Sequence, residues 1–116
     1  MKKILITGAT GHIGSYLLKF LGNYLKSLEI IILDNMSTNR YCSLFNLPHN
    51  TKFSFLNLDL AKCDTSEIPD SDILIHLAAK TDAAQSAKFE DEFYSNNYEA
   101  TKKIIEYSKK NYAKIL

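Results

Sequence analysis

The fold of this chain follows from one segment near its start, Lys3-Ile4-Leu5-Ile6-Thr7-Gly8-Ala9-Thr10-Gly11-His12-Ile13-Gly14. The first half is a short apolar run that ends at a glycine, a pattern that predicts a strand buried on both faces of a parallel sheet. The second half carries glycines at intervals of three residues. An amphipathic helix is predicted to follow, because apolar side chains recur at helical spacing at Ile13, Leu17, Leu21 and Tyr24.

A glycine-rich turn between a buried strand and a helix is typical of a phosphate-binding loop. Gly8, Gly11 and Gly14 allow a sharp turn, a close approach of the backbone to a diphosphate, and tight packing of the helix on the strand. The start of the helix then offers unpaired N–H groups and the positive end of its dipole to the phosphates. The alternative, a turn without a ligand, is disfavoured by this placement.

The remaining sequence alternates predicted strands and helices. Residues 35–50 are expected to form a loop with a weak helix near residues 41–46, and residues 61–70 a loop with a single helical turn at most. The further predicted elements are strands at 29–34, 52–58 and 72–77, a long helix over 90–112, and a fifth strand that begins at Lys114. This alternation predicts one α/β domain over residues 1–116, a Rossmann-type parallel sheet of order 3-2-1-4 with helices on both faces, truncated as its fifth strand starts.

Composition excludes several classes of protein. The 116 residues are 46% hydrophobic and 23% charged, with a net charge of +1 and no basic stripe, so nucleic acid and anionic membranes are not expected partners. Cys42 and Cys63 lack metal-type spacing, and no metal site is predicted. The apolar start breaks at Gly8, too early for a signal peptide, which predicts a cytoplasmic protein with reduced thiols.

An acidic residue closes the second predicted strand. Asp34 follows Gly14 by about 20 residues, where a carboxylate accepts hydrogen bonds from the adenosine ribose of a dinucleotide. The same charge would repel a 2′-phosphate, so NAD is predicted rather than NADP. Arg40 is interpreted as a solvent-exposed loop residue, with contact to a 2′-phosphate as the alternative.

The motif Thr7-Gly8-x-x-Gly11-x-x-Gly14, with Ile13 before the last glycine, resembles extended short-chain dehydrogenases/reductases. These are the NAD-dependent nucleotide-sugar epimerases and dehydratases, and the resemblance covers the whole chain. It implies NAD as cofactor, a nucleotide sugar as substrate, transient hydride transfer at sugar C4, and a homodimer formed through the long helix. Tyr94, Tyr98 and Tyr107 are expected to serve that dimer or to be partly exposed surface aromatics.

The resemblance also implies the residues that would bind the cofactor. The diphosphate would be bound near Gly8, Gly11, His12, Ile13 and Gly14, and the adenosine ribose near Asp34 and Asn35, with Ser37, Thr38 and Asn39 nearby. Adenine would contact Asp59 and Leu60. The nicotinamide half would lie along Leu77, Ala78, Ala79, Lys80 and Thr81, with Asn96. From the residues alone, Asp59 is equally an ordinary turn acid and Lys80 an exposed loop lysine. His76 is expected to be a buried, hydrogen-bonded strand residue. Asn97 is expected to brace the neighbouring loop, with the exchange of roles between Asn96 and Asn97 as the alternative.

The family's catalytic residues, a Ser or Thr after the fifth strand and a Tyr-x-x-x-Lys pair beyond it, have no counterpart. Tyr98-Glu99-Ala100-Thr101-Lys102 fits the pair by letter, but it lies on the helix before the fifth strand, so no catalytic residue is predicted. The catalytic and substrate-binding half is therefore expected in a longer parent protein. Whether the chain serves an enzyme or is a non-catalytic NAD-binding module or sensor stays open.

Overall fold

The computed structural model describes residues 1–80 and 90–116. Five parallel strands form one sheet of order β3-β2-β1-β4-β5, which confirms the predicted 3-2-1-4 order and adds the fifth strand beside the fourth. The strands are β1 (Lys2–Thr7), β2 (Leu28–Asp34), β3 (Lys52–Asn57), β4 (Ile73–His76) and β5 (Lys114–Ile115). Among the described residues two α-helices flank them, α1 (His12–Tyr24) and α2 (Glu90–Asn111).

The central strands are buried on both faces, because successive side chains point to opposite sides of a sheet. Ile4 and Ile6 of β1 join the core under α1, together with Leu18 of that helix. Leu5, between them, joins the core under α2. The short apolar run that predicted β1 is therefore shared by two cores, one on each face of the sheet.

Helix α2 carries a finding that corrects the sequence analysis. Tyr107 is fully buried with Ala100 and Ile104, so it is a core residue and not a surface aromatic. Its hydroxyl donates to the carbonyl oxygen of Pro69 at 2.8 Å, which explains how a polar aromatic is accommodated in the core. Tyr94 and Tyr98 lie on the exposed side and stack with ring centroids 5.5 Å apart. The homodimer stays a prediction.

A short 3₁₀ turn at Tyr41–Leu44 replaces the weak helix expected in the first loop, and the single 3₁₀ turn at Thr65–Glu67 agrees with the one helical turn expected at most in the second. Strand β5 pairs with β4 through two residues only, Lys114 beside Ile73 and Ile115 beside Leu74. No α-helix within residues 1–80 and 90–116 combines the length and apolar character needed to cross a bilayer.

Candidate functional site

A cleft of about 620 Å³ opens at the carboxyl ends of β1, β2, β3 and β4, which is the edge where open α/β sheets hold their ligands. All the predicted cofactor-binding residues except Asn39 and Thr81 line it, and Thr81 lies outside the described residues. The cleft is also lined by residues that the sequence analysis did not select: Thr10, Leu33, Arg40, Leu58, Ala61 and Ala100. Its volume is within the range of small-molecule and cofactor sites.

Two glycines of the loop are required by the protein itself. Gly8 has a φ of +66°, and a Cβ atom there would lie 2.7 Å from the backbone of Ala78. A Cβ atom on Gly14 would lie 2.6 Å from the backbone of Ala9. The first glycine therefore allows the turn from β1 to meet the segment that leaves β4, and the last allows α1 to pack on the loop.

Gly11 has a different surrounding. It is the N-cap of α1, and it has no side chain to accept from the first amides of the helix. A Cβ atom on it would meet only the carbonyl oxygen of Gly8, at 3.3 Å. Its outer side therefore faces the cleft, where the N–H groups at the start of α1 and the helix dipole suit an anionic group.

Asp34 is buried at the end of β2, and its carboxylate holds the loop in place. One oxygen accepts from the backbone N–H of Thr10 at 3.1 Å, and the other accepts from the N–H of Met36 at 2.9 Å. Sequence reasoning missed this structural task. Because each carboxylate oxygen has a second lone pair, the group retains acceptors for a ligand in the cleft.

The turn after Asp34 is stabilised by hydrogen bonds between residues of the turn itself. Asn35 accepts from the N–H of Ser37 through its side-chain oxygen at 3.0 Å. The N–H of Asn39 donates to the carbonyl oxygen of Met36 at 2.9 Å, with Asn39 at a φ of +54°. Asn39 therefore closes the turn and lies off the cleft wall, whereas Ser37 and Thr38 line it.

Arg40 is half-buried, so its interpretation as a solvent-exposed loop residue is wrong. Its Nε donates to the carbonyl oxygen of Thr10 at 3.0 Å, and its guanidinium also meets Nε2 of His12 at 3.2 Å. The hydroxyl of Ser43 donates to the same Thr10 carbonyl at 2.7 Å. The peptide group of Thr10 is thus held by residues that follow β2.

Asp59 begins the turn that follows β3. Its carboxylate accepts from the N–H of Ala61 at 3.0 Å, and its carbonyl accepts from Lys62 and Cys63, so the residue does perform the ordinary turn role. Leu60 is buried in the core below the cleft. Contact of these two residues with an adenine ring stays a prediction.

The exit of β4 is tied to β1 through Thr7. Its Oγ1 accepts from the N–H groups of Leu77 and Ala78, each at 3.2 Å, and its carbonyl oxygen accepts from the Leu77 N–H at 3.1 Å. The same hydroxyl is hydrogen-bonded to Nδ1 of His76 at 2.7 Å, and Nε2 of His76 faces Thr101 Oγ1 at 3.3 Å. As predicted, His76 is a hydrogen-bonded strand residue, but it is half-buried and not fully buried; this partial burial lowers its pKa.

We expect stability to fall in mild acid. Because the folded-state pKa of His76 is lowered, the unfolded chain binds the proton first, and the free energy of unfolding decreases as pH falls below about 6.5, the ordinary pKa of histidine. The slope is at most about 1.4 kcal/mol per pH unit, the linkage of one proton. Urea unfolding from pH 8 to pH 5 measures it. His76→Gln should reduce the dependence of the unfolding free energy on pH, whereas His49→Gln, at an exposed histidine, should not. The same pH dependence in the unmodified chain and in both variants would show that His76 is not the group responsible.

Asn97 braces the segment that follows β4, as predicted. Its side-chain oxygen accepts from the N–H of Lys80 at 2.8 Å, and its amide donates to the carbonyl of Lys80 at 3.1 Å. Asn96, one residue earlier, lines the cleft and donates to Asn97 at 3.2 Å. The Lys80 ammonium forms an ion pair with Glu92 and lies 5.9 Å from the ring centroid of Phe93. Tyr98 and Lys102 are both exposed and do not line the cleft.

A sequence profile of the NAD-dependent epimerase/dehydratase family matches residues 4–116. The chain belongs to this family. The resemblance seen in the sequence is thereby confirmed, and the predicted cofactor, NAD, is the one on which the family depends.

The following relatives are longer than this chain. A dTDP-D-glucose 4,6-dehydratase of Dictyostelium discoideum is 37% identical over 121 residues, which cover 97% of this chain and 27% of the relative. The solved UDP-N-acetylglucosamine 4-epimerase from Methanobrevibacter ruminantium superimposes with a TM-score of 0.84 at 27% identity, covering 98% of this chain and 36% of that one. The UDP-Glc/GlcNAc 4-epimerase from Campylobacter jejuni gives a TM-score of 0.82 at 28% identity, covering 96% and 34%. The chain thus spans about a quarter to a third of these relatives.

Proposed function

We propose that this chain binds NAD in the cleft, as the NAD-binding part of a nucleotide-sugar epimerase or dehydratase. The observation that carries the proposal is the meeting of two groups at one edge of the sheet. The unpaired amides at the start of α1 suit a diphosphate, and the Asp34 carboxylate, fixed beside them through Thr10, suits a ribose diol. The glycine loop and Asp34 would hold the dinucleotide, and the bound cofactor would supply hydride transfer from and back to C4 of the sugar.

The described residues would serve this function by binding and orientation. Gly8 and Gly11 keep the loop free of side chains, so a diphosphate can approach the backbone. Asp34 would accept from the adenosine ribose with its remaining lone pairs, and Asp59 with Leu60 would meet adenine. Ala78 and Ala79, beyond β4, leave room for the nicotinamide half.

We expect the chain to bind NAD at least about tenfold more tightly than NADP, because Asp34 would oppose a 2′-phosphate. Isothermal titration calorimetry with both dinucleotides measures the ratio. Asp34→Asn should lower this ratio of affinities. The thermal midpoint of the variant serves as a control for folding, because the carboxylate also accepts from the N–H of Thr10. Tighter binding of NADP would overturn the assignment of Asp34, and binding of neither dinucleotide would overturn the proposed function.

The alternative is a non-catalytic NAD-binding module or sensor. It predicts the same dinucleotide binding, so binding alone does not separate the two. The reading frame that encodes this chain does: a Tyr-x-x-x-Lys pair downstream of Leu116 would support an enzyme. Tight NAD binding by a parent protein that lacks this pair would favour the module.

A further inference from the structure

Arg40 is anchored to the glycine loop and not to the solvent. Its two contacts are the Thr10 carbonyl, at 3.0 Å from Nε, and Nε2 of His12, at 3.2 Å. His12 is the first residue of α1. The guanidinium therefore lies against the first turn of the helix, in the wall of the cleft.

Neither of these partners is a carboxylate. Arginine only donates, so Nε2 of His12 is the acceptor in the second contact. The ion pairs found within residues 1–80 and 90–116 are Lys52–Glu29 and Lys80–Glu92, and neither includes Arg40. A half-buried guanidinium thus brings its positive charge, and donors beyond the two in use, to the cleft wall without a carboxylate against it.

We propose that Arg40 is a binding residue for the 5′-diphosphate of the dinucleotide, which it approaches from the loop after β2. Guanidinium groups suit phosphate oxygens because their N–H donors form a planar fork and their charge strengthens each hydrogen bond. This inference rests on the proposed function and deepens it: the diphosphate would be bound by the amides of α1 and also by a side chain.

A 2′-phosphate offers the same chemistry from a second source. The anchoring of Arg40 at Thr10 and His12, the latter in the first turn of α1, favours the 5′-diphosphate, since that helix start is where a diphosphate is bound. Asp34, whose carboxylate lies beside the same loop, opposes a phosphate on the ribose. If Arg40 binds the 5′-diphosphate, its replacement weakens 5′-ADP; if it binds a 2′-phosphate, its replacement weakens 2′-AMP. Titration with the two nucleotides therefore separates the two positions.

The test compares Arg40→Gln and Arg40→Lys with the unmodified chain by calorimetry, using NAD, 5′-ADP, 2′-AMP and adenosine as probes. Arg40→Gln should weaken NAD and 5′-ADP about tenfold or more, the usual scale for lost charge-assisted hydrogen bonds, while adenosine changes less than about twofold. Arg40→Lys, which keeps the charge, should recover part of the affinity for 5′-ADP. Lys109→Gln removes one charge from the exposed side of α2, away from the cleft, and should leave all four affinities unchanged.

Circular dichroism and the thermal midpoint of each variant show whether it is folded, because Asp34 and Ser43 still hold the Thr10 peptide when Arg40 is changed. The inference would be overturned if a folded Arg40→Gln protein lost as much affinity for adenosine as for 5′-ADP, or lost affinity for 2′-AMP alone. It would also be overturned if Arg40→Lys bound 5′-ADP as weakly as Arg40→Gln. Failure of the unmodified chain to bind NAD would instead overturn the proposed function.

Discussion

Gly14→Ala is expected to destabilise the chain by about 3 kcal/mol or more, a large part of the total stability of a small domain. The new Cβ atom would lie 2.6 Å from Cα and the carbonyl oxygen of Ala9 and 2.7 Å from its carbonyl carbon. These atoms belong to the backbone, so no side-chain rotation relieves the overlap, and α1 must move away from the loop. The gain in helix propensity from glycine to alanine, about 1 kcal/mol, does not offset the clash.

Gly11→Ala is the matched control, since it makes the same chemical change three residues earlier. Its Cβ atom would meet only one atom, at 3.3 Å, so the fold should survive with a thermal midpoint close to that of the unmodified chain. Its NAD affinity should fall, because the methyl group would enter the cleft beside the amides of α1. Urea unfolding of both variants measures the difference. Equal stability of Gly14→Ala and Gly11→Ala would contradict the assignment of Gly14 to helix packing.

The parts of the fold that the sequence predicted well are those set by periodicity and by glycine. Each strand of the sheet centre is a short apolar run, as in residues 29–34, because both faces of a parallel sheet are covered. Strand order then follows from the right-handed crossover that connects parallel strands. Each of the three glycines in the loop meets a different neighbour. Because the loop joins the carboxyl end of β1 to the start of α1, the glycine pattern indicated the edge of the sheet that carries the cleft.

The site residues that sequence reasoning misjudged lie in loops, where no period links a residue to its partners. Arg40 is separated from Thr10 by 30 residues, and their hydrogen bond depends on the turn that Asn39 closes. The structural task of Asp34 was equally hidden, because the sequence alone does not show that its carboxylate accepts from the backbone N–H groups of Thr10 and Met36. These contacts depend on the path of the backbone after β2.

Tyr107 was misplaced for a different reason. Ala100 and Ile104 lie on the buried face of α2, and a tyrosine three residues after Ile104 fits the same face. Tyrosine has both an apolar ring and a polar group, so its position on a helix does not tell whether it is buried. The deciding partner is the Pro69 carbonyl, which lies 38 residues away along the chain.

Tyr107→Ala is accordingly expected to lower the free energy of unfolding by about 3–5 kcal/mol, the usual cost of removing a buried aromatic ring. The side chain is fully buried between α2 and the sheet, in the core that contains Leu5 and Leu74, and its removal leaves a cavity under the helix. Tyr107→Phe keeps the ring but leaves the Pro69 carbonyl without its donor. It should cost about 1 kcal/mol, the usual net contribution of a hydrogen bond, because Pro69 is only half-buried.

Urea unfolding monitored by circular dichroism measures both effects. Tyr98→Ala is the control on the same helix: its side chain is exposed and stacks on Tyr94, so the change should stay within about 0.5 kcal/mol. The order Tyr107→Ala, Tyr107→Phe, Tyr98→Ala, from most to least destabilising, follows from burial and hydrogen bonding alone. A Tyr98→Ala protein that lost as much stability as Tyr107→Ala would mean that the exposed side of α2 is buried in solution, and the position of the helix on the sheet would have to be revised.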